Sequence, residues 1–219
     1  MKITTLMLSC GRFDLLKRAL ESYKAAMPES TDLIIVDDSM IKQGQAKSLD
    51  LLVELGMKTE AEYFMLLEDD WEFISDKNWF WDSLTVLKEH PEVMIVGISI
   101  PDYLRPFMGP KDWMGHVPIL RHDPWRISPN HGYWHGWISS PRLMRRADLL
   151  NLPKFSSCVS EEVYDRVVWN PMYRDGGRRS IWLFTTYTKH IGWGRSLFPE
   201  GDKLLPEQRS WLKAHQTVL

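Results

Sequence analysis

Tyr63-Phe64-Met65-Leu66-Leu67 is an unbroken apolar run with an aromatic start, and it passes directly into Glu68-Asp69-Asp70. A run of this length with no polar member suits a strand buried on both faces, as in a parallel sheet covered by helices. Three neighbouring carboxylates at the end of such a strand repel one another unless a cation gathers them. Carboxylate oxygens are hard ligands, so the matching cation is Mg²⁺ or Mn²⁺, shared with substrate phosphates rather than caged by protein alone. In open α/β sheets ligands bind beyond the carboxyl ends of the strands, where Glu68, Asp69 and Asp70 would stand. The plain alternative is a solvated acidic turn after a core strand.

The same pattern recurs upstream. Lys2 to Ser9 reads as a buried strand, Gly11 breaks it, and Asp14 to Ala26 takes up helical spacing through Leu15, Leu16, Ala19, Leu20 and Tyr23. Leu33-Ile34-Ile35-Val36 is a second apolar strand that stops at Asp37-Asp38-Ser39, and Gln43 to Leu55 supports a helix with Gly56 as its stop. A helix from Lys77 to Glu89 and a strand from Val93 to Ile98 follow the acidic stretch. This alternation predicts an α/β fold with a mainly parallel central sheet and right-handed crossovers.

Beyond Ile100 the regularity fails, because prolines at 101, 106, 110, 118, 124 and 129 forbid long helices and central strands. A long structured loop is expected to about His135, with Gly132 to Ile138 returning as a strand and Pro141 to Leu150 forming a short basic helix. Val159 to Trp169 reads as a helix opened by Ser160, with Glu161 and Glu162 in its first turn, where the dipole favours negative charge. Ile181 to Tyr187 is a late strand that delivers His190, and Pro206 to His215 is an amphipathic tail helix.

With 219 residues, 44% hydrophobic, the chain is long enough for one well-buried core, so one domain is expected over 1–219. No window approaches the roughly 20 apolar residues of a membrane span, and no basic region leads into an apolar leader, so a cytoplasmic address is expected. Cys10 and Cys158 match no metal spacing and read as free thiols. Residues 1–120 carry 12 Lys/Arg against 20 Asp/Glu, whereas 121–180 carry 10 against 6. An acidic first half followed by an Arg-rich stretch suggests that an anion is handled between them. The chain has no Gly-x-x-x-x-Gly-Lys loop, no Gly-x-Gly-x-x-Gly after the first strand and no Gly-x-Ser-x-Gly elbow, which argues against P-loop, dinucleotide and serine-esterase chemistry.

The ordered set of these motifs resembles a GT-A (Rossmann-like) glycosyltransferase, similar to family 2. Thr5 to Ser22, with Ser9 and Arg12, resembles the opening strand and helix of that family. Leu33 to Ser39 resembles its nucleotide-binding strand end, where Asp37 or Asp38 would contact the base. Glu68-Asp69-Asp70 stands where the family carries its Asp-x-Asp motif. The match implies that Asp70 ligates the metal on the donor diphosphate and that Glu68 lies near the ribose, with Asp69 between them. Ser160-Glu161-Glu162 resembles the late acidic pair that supplies the general base of inverting enzymes, and either glutamate could be that base. His190 to Ser196 resembles the segment that supplies a metal-binding histidine, and Arg195 could pair with donor phosphates or with a carboxylate.

The resemblance therefore implies a nucleotide-sugar-binding half over 1–99, an acceptor and catalytic half over 100–196, and a tail over 197–219. It implies a metal-dependent, inverting transfer of a sugar from a nucleotide-diphosphate sugar, with a UDP-sugar the leading candidate and Mn²⁺ or Mg²⁺ as cofactor. The aromatic loop, with Trp125, Trp134, His135 and Trp137, is the expected acceptor platform, because aromatic faces stack on sugar rings and on bases alike. A saccharide and a hydroxymethylated DNA base both fit as acceptor. A sugar-nucleotide nucleotidyltransferase and a non-catalytic carbohydrate-binding module are the competing functions.

Overall fold

The computed structural model describes residues 1–27, 31–41, 43–74, 78–98, 141–158, 164–169, 171–172, 177–183 and 187–192. β1 (Ile3–Ser9), β2 (Thr31–Asp37), β3 (Tyr63–Glu68) and β5 (Val93–Gly97) alternate with α1 (Phe13–Ala26), α3 (Gln45–Met57) and α4 (Asn78–Glu89), as the apolar periodicity predicts, and a one-turn helix, α2 (Asp38–Ile41), adds to them at the end of β2. β4 (Trp71–Phe73) follows β3 directly. β6 (Arg142–Arg145), β7 (Arg179–Trp182) and β8 (Thr188–His190) come from the second half. The main sheet runs β2-β1-β3-β6-β5-β7, and β4 pairs with β8 in a separate two-stranded sheet. β1 is parallel to both β2 and β3, and β5 is parallel to β7. β6 alone runs against its neighbours β3 and β5 within this sheet. The sheet is therefore mainly parallel, with strands from both halves of the chain.

Strand alternation sends the two faces to different helices. Met7, Met65 and Leu67 pack with Leu16, Leu20 and Tyr23 of α1 and Trp79, Phe80 and Leu84 of α4. Leu6, Leu8, Phe64 and Leu66 pack on the other face with Leu52 of α3 and with Tyr164 and Trp169. Burial on both faces is what an uninterrupted apolar strand requires, and Phe64 and Met65 are both 0% exposed. No described helix is long and apolar enough to cross a membrane.

Three expectations are corrected. The basic helix over Pro141 to Leu150 is instead a strand, Arg142–Arg145, followed by a short helix, Arg146–Leu150. Leu143 and Met144 are fully buried on opposite faces, Arg142 is buried, and Arg145 and Arg146 go to backbone carbonyls at the sheet margin. The late strand over Ile181 to Tyr187 is split between Arg179–Trp182 in the main sheet and Thr188–His190 on β4, so His190 lies within a strand. Gly56 does not stop its helix but lies within α3, where a Cβ would come within 2.8 Å of Leu6 Cδ2. Its smallness lets the helix approach the sheet. The expected strand Gly132 to Ile138, the loop before it and the tail helix lie outside the described residues, as do 159–163 of the expected Val159 to Trp169 helix. Asp165–Trp169 within that helix forms a π-helical turn.

Candidate active site

The parallel strands β1, β2 and β3 end side by side, with Ser9 paired with Asp37 and Leu8 with Glu68. The register thus brings the acidic strand ends together. Ser9 Oγ lies 3.1 Å from Asp37 Oδ2 and 3.0 Å from Asp69 Oδ2, and its single proton can serve only one of them. Asp37 Oδ1 accepts from the Ser39 backbone N–H at 2.9 Å, so Asp37 is tied both to β1 and to its own turn. Asp38 Oδ1 accepts from the backbone N–H groups of Gln43 and Gly44 and from the Ser48 hydroxyl, which anchors the approach to α3. Glu68 is half-buried and accepts from Gln45 Nε2 at 3.0 Å.

Asp69 is 0% exposed and pairs through Oδ1 with the Arg12 guanidinium, while Oδ2 accepts from the Cys10 backbone N–H. Burial pushes its carboxyl up to about 6 against the pull of Arg12. Asp70 is 4% exposed, and its Oδ2 accepts from Arg12 Nη1 at 2.8 Å and meets His190 Nε2 at 3.1 Å. Burial pushes this carboxyl up too, but the hydrogen bond from His190 and the Arg12 charge outweigh it and hold it below the usual range. Asp70 Oδ1 has no hydrogen-bond partner among the described residues. Arg12 is shifted further up by Asp69 and Asp70 in spite of its burial, so it stays charged throughout the working pH range.

His190 reaches Asp70 across 120 residues because β8 pairs antiparallel with β4, placing Trp71 opposite His190 with ring centroids 5.0 Å apart. The Ile191 N–H donates to the Asp70 carbonyl at 2.7 Å and fixes the crossing. A Cβ on Gly192 would lie 2.6 Å from Asp70 Oδ2, so only glycine permits this approach. The signal for β4 was present as the alternation Trp71-Glu72-Phe73, aromatic on either side of an acid. Gly192 carried no such signal, because its neighbour Asp70 is distant in sequence.

Among the described residues no three His, Cys, Asp or Glu side chains form a metal cage. Asp70 and His190 supply two donors, and Asp70 Oδ1 is a buried carboxylate oxygen without a hydrogen-bond partner among the described residues. Two protein ligands suit a Mg²⁺ or Mn²⁺ ion that draws its remaining ligands from water and substrate phosphates. The structure thus brings together Ser9, Arg12, Asp37, Asp69, Asp70 and His190, with Glu68 beside α3 and Asp38 turned to its helix. Glu161, Glu162, Arg195, Trp125, Trp134, His135 and Trp137 lie outside the described residues.

A mainly parallel sheet with acidic strand ends is the arrangement that the resemblance to GT-A glycosyltransferases implies. No protein-family model matches the chain, and no curated protein matches its sequence. Among solved structures, the mannosyltransferase PcManGT from Pyrobaculum calidifontis, in complex with GDP-Man and Mn²⁺, is similar at TM-score 0.56 and 10% identity. That match covers 89% of this chain and 58% of the other. TarS 1–349 of S. aureus, in complex with UDP-GlcNAc, is similar at TM-score 0.54 and 13% identity, over 91% of this chain and 62% of the other. The chain therefore spans about three fifths of the length of these structures. At such identities the likeness is one of fold, and function rests on the site.

Proposed function

We propose that the chain is a cytoplasmic nucleotide-sugar glycosyltransferase that works with Mn²⁺ or Mg²⁺ and transfers a hexose or pentose, with inversion, to a hydroxyl acceptor. The observation that carries this reading is Asp70. It is a buried carboxylate at the ligand-binding edge of a GT-A sheet, clamped through one oxygen by Arg12 and His190 while the other has no hydrogen-bond partner among the described residues.

In this reading Asp37, steadied by Ser9, receives the nucleoside, with Asp38 holding the turn and Glu68 facing the ribose. Asp69 orients Arg12, and Arg195 meets the phosphates. The cation, when bound by Asp70 and His190, neutralises charge on the leaving diphosphate. Glu161 or Glu162 takes the proton of the acceptor hydroxyl as its oxygen bonds to the anomeric carbon and the bond from that carbon to the phosphate oxygen breaks. The aromatic segment with Trp125, Trp134, His135 and Trp137 holds the acceptor, a saccharide. Activity on a hydroxymethylated duplex that falls steeply with salt would reassign the acceptor to DNA. The ligands of the two similar structures make UDP- and GDP-sugars the first donors to try.

Calorimetric titration with nucleoside diphosphates, with and without Mn²⁺, tests the reading. Binding that needs Mn²⁺ and vanishes in Asp70→Asn supports it. Absence of binding across the panel would return the acidic strand ends to structural turns.

A further inference from the structure

The acidic edge already holds a cation, and it is part of the chain. Arg12 lies just before α1, and its guanidinium spans two carboxylates, meeting Asp69 through one terminal nitrogen and Asp70 through the other. Its side chain is 14% exposed, against 1% for Asp69 and 5% for Asp70. The arrangement nevertheless leaves groups unspent at both ends. Arg12 Nε and Asp70 Oδ1 are buried with no hydrogen-bond partner among the described residues.

We propose that Arg12 is a resident counter-ion on Asp70 and that the divalent cation gains Asp70 only together with the donor diphosphate, which draws the guanidinium onto its own oxygens. The inference rests on the glycosyltransferase reading of the site. A metal on Asp70 without nucleotide would share one carboxylate with Arg12, and two cations in a dry pocket repel strongly. A diphosphate reverses that sign. Its oxygens match the guanidinium fork, offer Nε the acceptor it lacks, and complete the coordination that two protein ligands leave open. The side chain can make this move on its own torsions while the backbone stays fixed, because the Arg12 carbonyl remains in the first turn of α1, accepting from the Leu16 N–H at 2.9 Å. By linkage, each ligand then tightens the other by the same factor.

The test is a Mn²⁺ titration of the full chain, read by the paramagnetic resonance signal of free Mn²⁺, with and without UDP or GDP and corrected for chelation by free nucleotide. Wild type should bind Mn²⁺ at least about tenfold more tightly when nucleotide is present. Arg12→Gln should bind Mn²⁺ alone about tenfold more tightly than wild type does, and should lose much of the nucleotide-induced gain. Arg12→Lys, which keeps the charge without the fork, should fall between and serves if the glutamine variant does not fold. Equal Mn²⁺ affinity of wild type with and without bound nucleotide overturns the proposal. So does a nucleotide-induced gain in wild type unaccompanied by any gain in nucleotide-free Arg12→Gln, because coordination by phosphate would then explain the coupling. If neither nucleotide binds wild type at all, the glycosyltransferase reading falls separately, while the Mn²⁺ affinity of Arg12→Gln alone still decides whether Arg12 screens Asp70.

Discussion

Part-buried arginines stand at two places on the sheet, a pair at the margin of β6 and Arg12 at the acidic edge, and they meet different partners. At the margin of β6, Arg145 donates to the carbonyls of Leu87, Pro91 and Val93 and pairs through Nε with Asp148 at 2.6 Å. Arg146 donates to the carbonyls of Met57, Thr59 and Ala61 and lies 5.9 Å above the Phe64 ring. These guanidinium groups close the ends of α3 and α4 against the sheet. At the acidic edge Arg12 faces two carboxylates, and a donor and an acceptor are left over among the described residues. Buried polar groups with their partners in place hold a fold together, whereas leftover ones cost stability, and at Asp70 the leftover oxygen stands at the ligand-binding edge of the sheet. The contrast separates Arg145 and Arg146, which close helix ends within the basic stretch, from Arg12, which stands among carboxylates in the acidic first half.

Four measurements can break or sharpen that contrast. The first concerns Cys10, an exposed residue whose thiol is nonetheless pushed up, by desolvation against the strand ends first and by Asp69 next. At pH 8 the folded chain should therefore hold at least about tenfold less thiolate at Cys10 than the urea-unfolded chain, measured as the rate of alkylation of its peptide. An equal rate would remove the evidence for a negative field at the strand ends. Arg146→Ala should cost about 3 kcal/mol in urea unfolding, because three carbonyls lose their donor, while nucleotide affinity of the folded fraction stays unchanged. Asp70→Asn should do the reverse, shifting stability by no more than about 1 kcal/mol while lowering Mn²⁺-dependent nucleotide affinity about a hundredfold. Gly192→Ala should be gentler, about tenfold in that affinity, since the new Cβ displaces Asp70 from His190 without removing either. A loss of stability in Gly192→Ala as large as that of Arg146→Ala would mean that the His190 crossing is structural.

The first half of the fold was legible because each element carries its own period. The strand of Tyr63 to Leu67, the helix faces of Leu16, Leu20 and Tyr23, and the acidic stops at Asp37 and Glu68 are all local signals. The second half was misread where the signal was not local. Arg142-Leu143-Met144-Arg145-Arg146 looks like a basic helix until the carbonyls that take Arg145 and Arg146 are known, and those lie on α3, α4 and the segments that follow them. His190 was marked as a metal candidate by resemblance, and its route to Asp70 depends on a β4–β8 pairing that spans the chain. Arg12 was expected among the donor-binding residues. That it first engages Asp69 and Asp70 is a matter of side-chain geometry, which no spacing in the sequence contains.

The most direct test of the donor site is a crystal structure of the full chain grown with UDP or GDP and Mn²⁺, with the metal located by its anomalous signal. The account predicts Mn²⁺ ligated by Asp70 and His190, with the diphosphate bridging the ion and Arg12 released from Asp70. A nucleotide bound elsewhere, with the Arg12 pairs to Asp69 and Asp70 intact and no metal on Asp70, would contradict it.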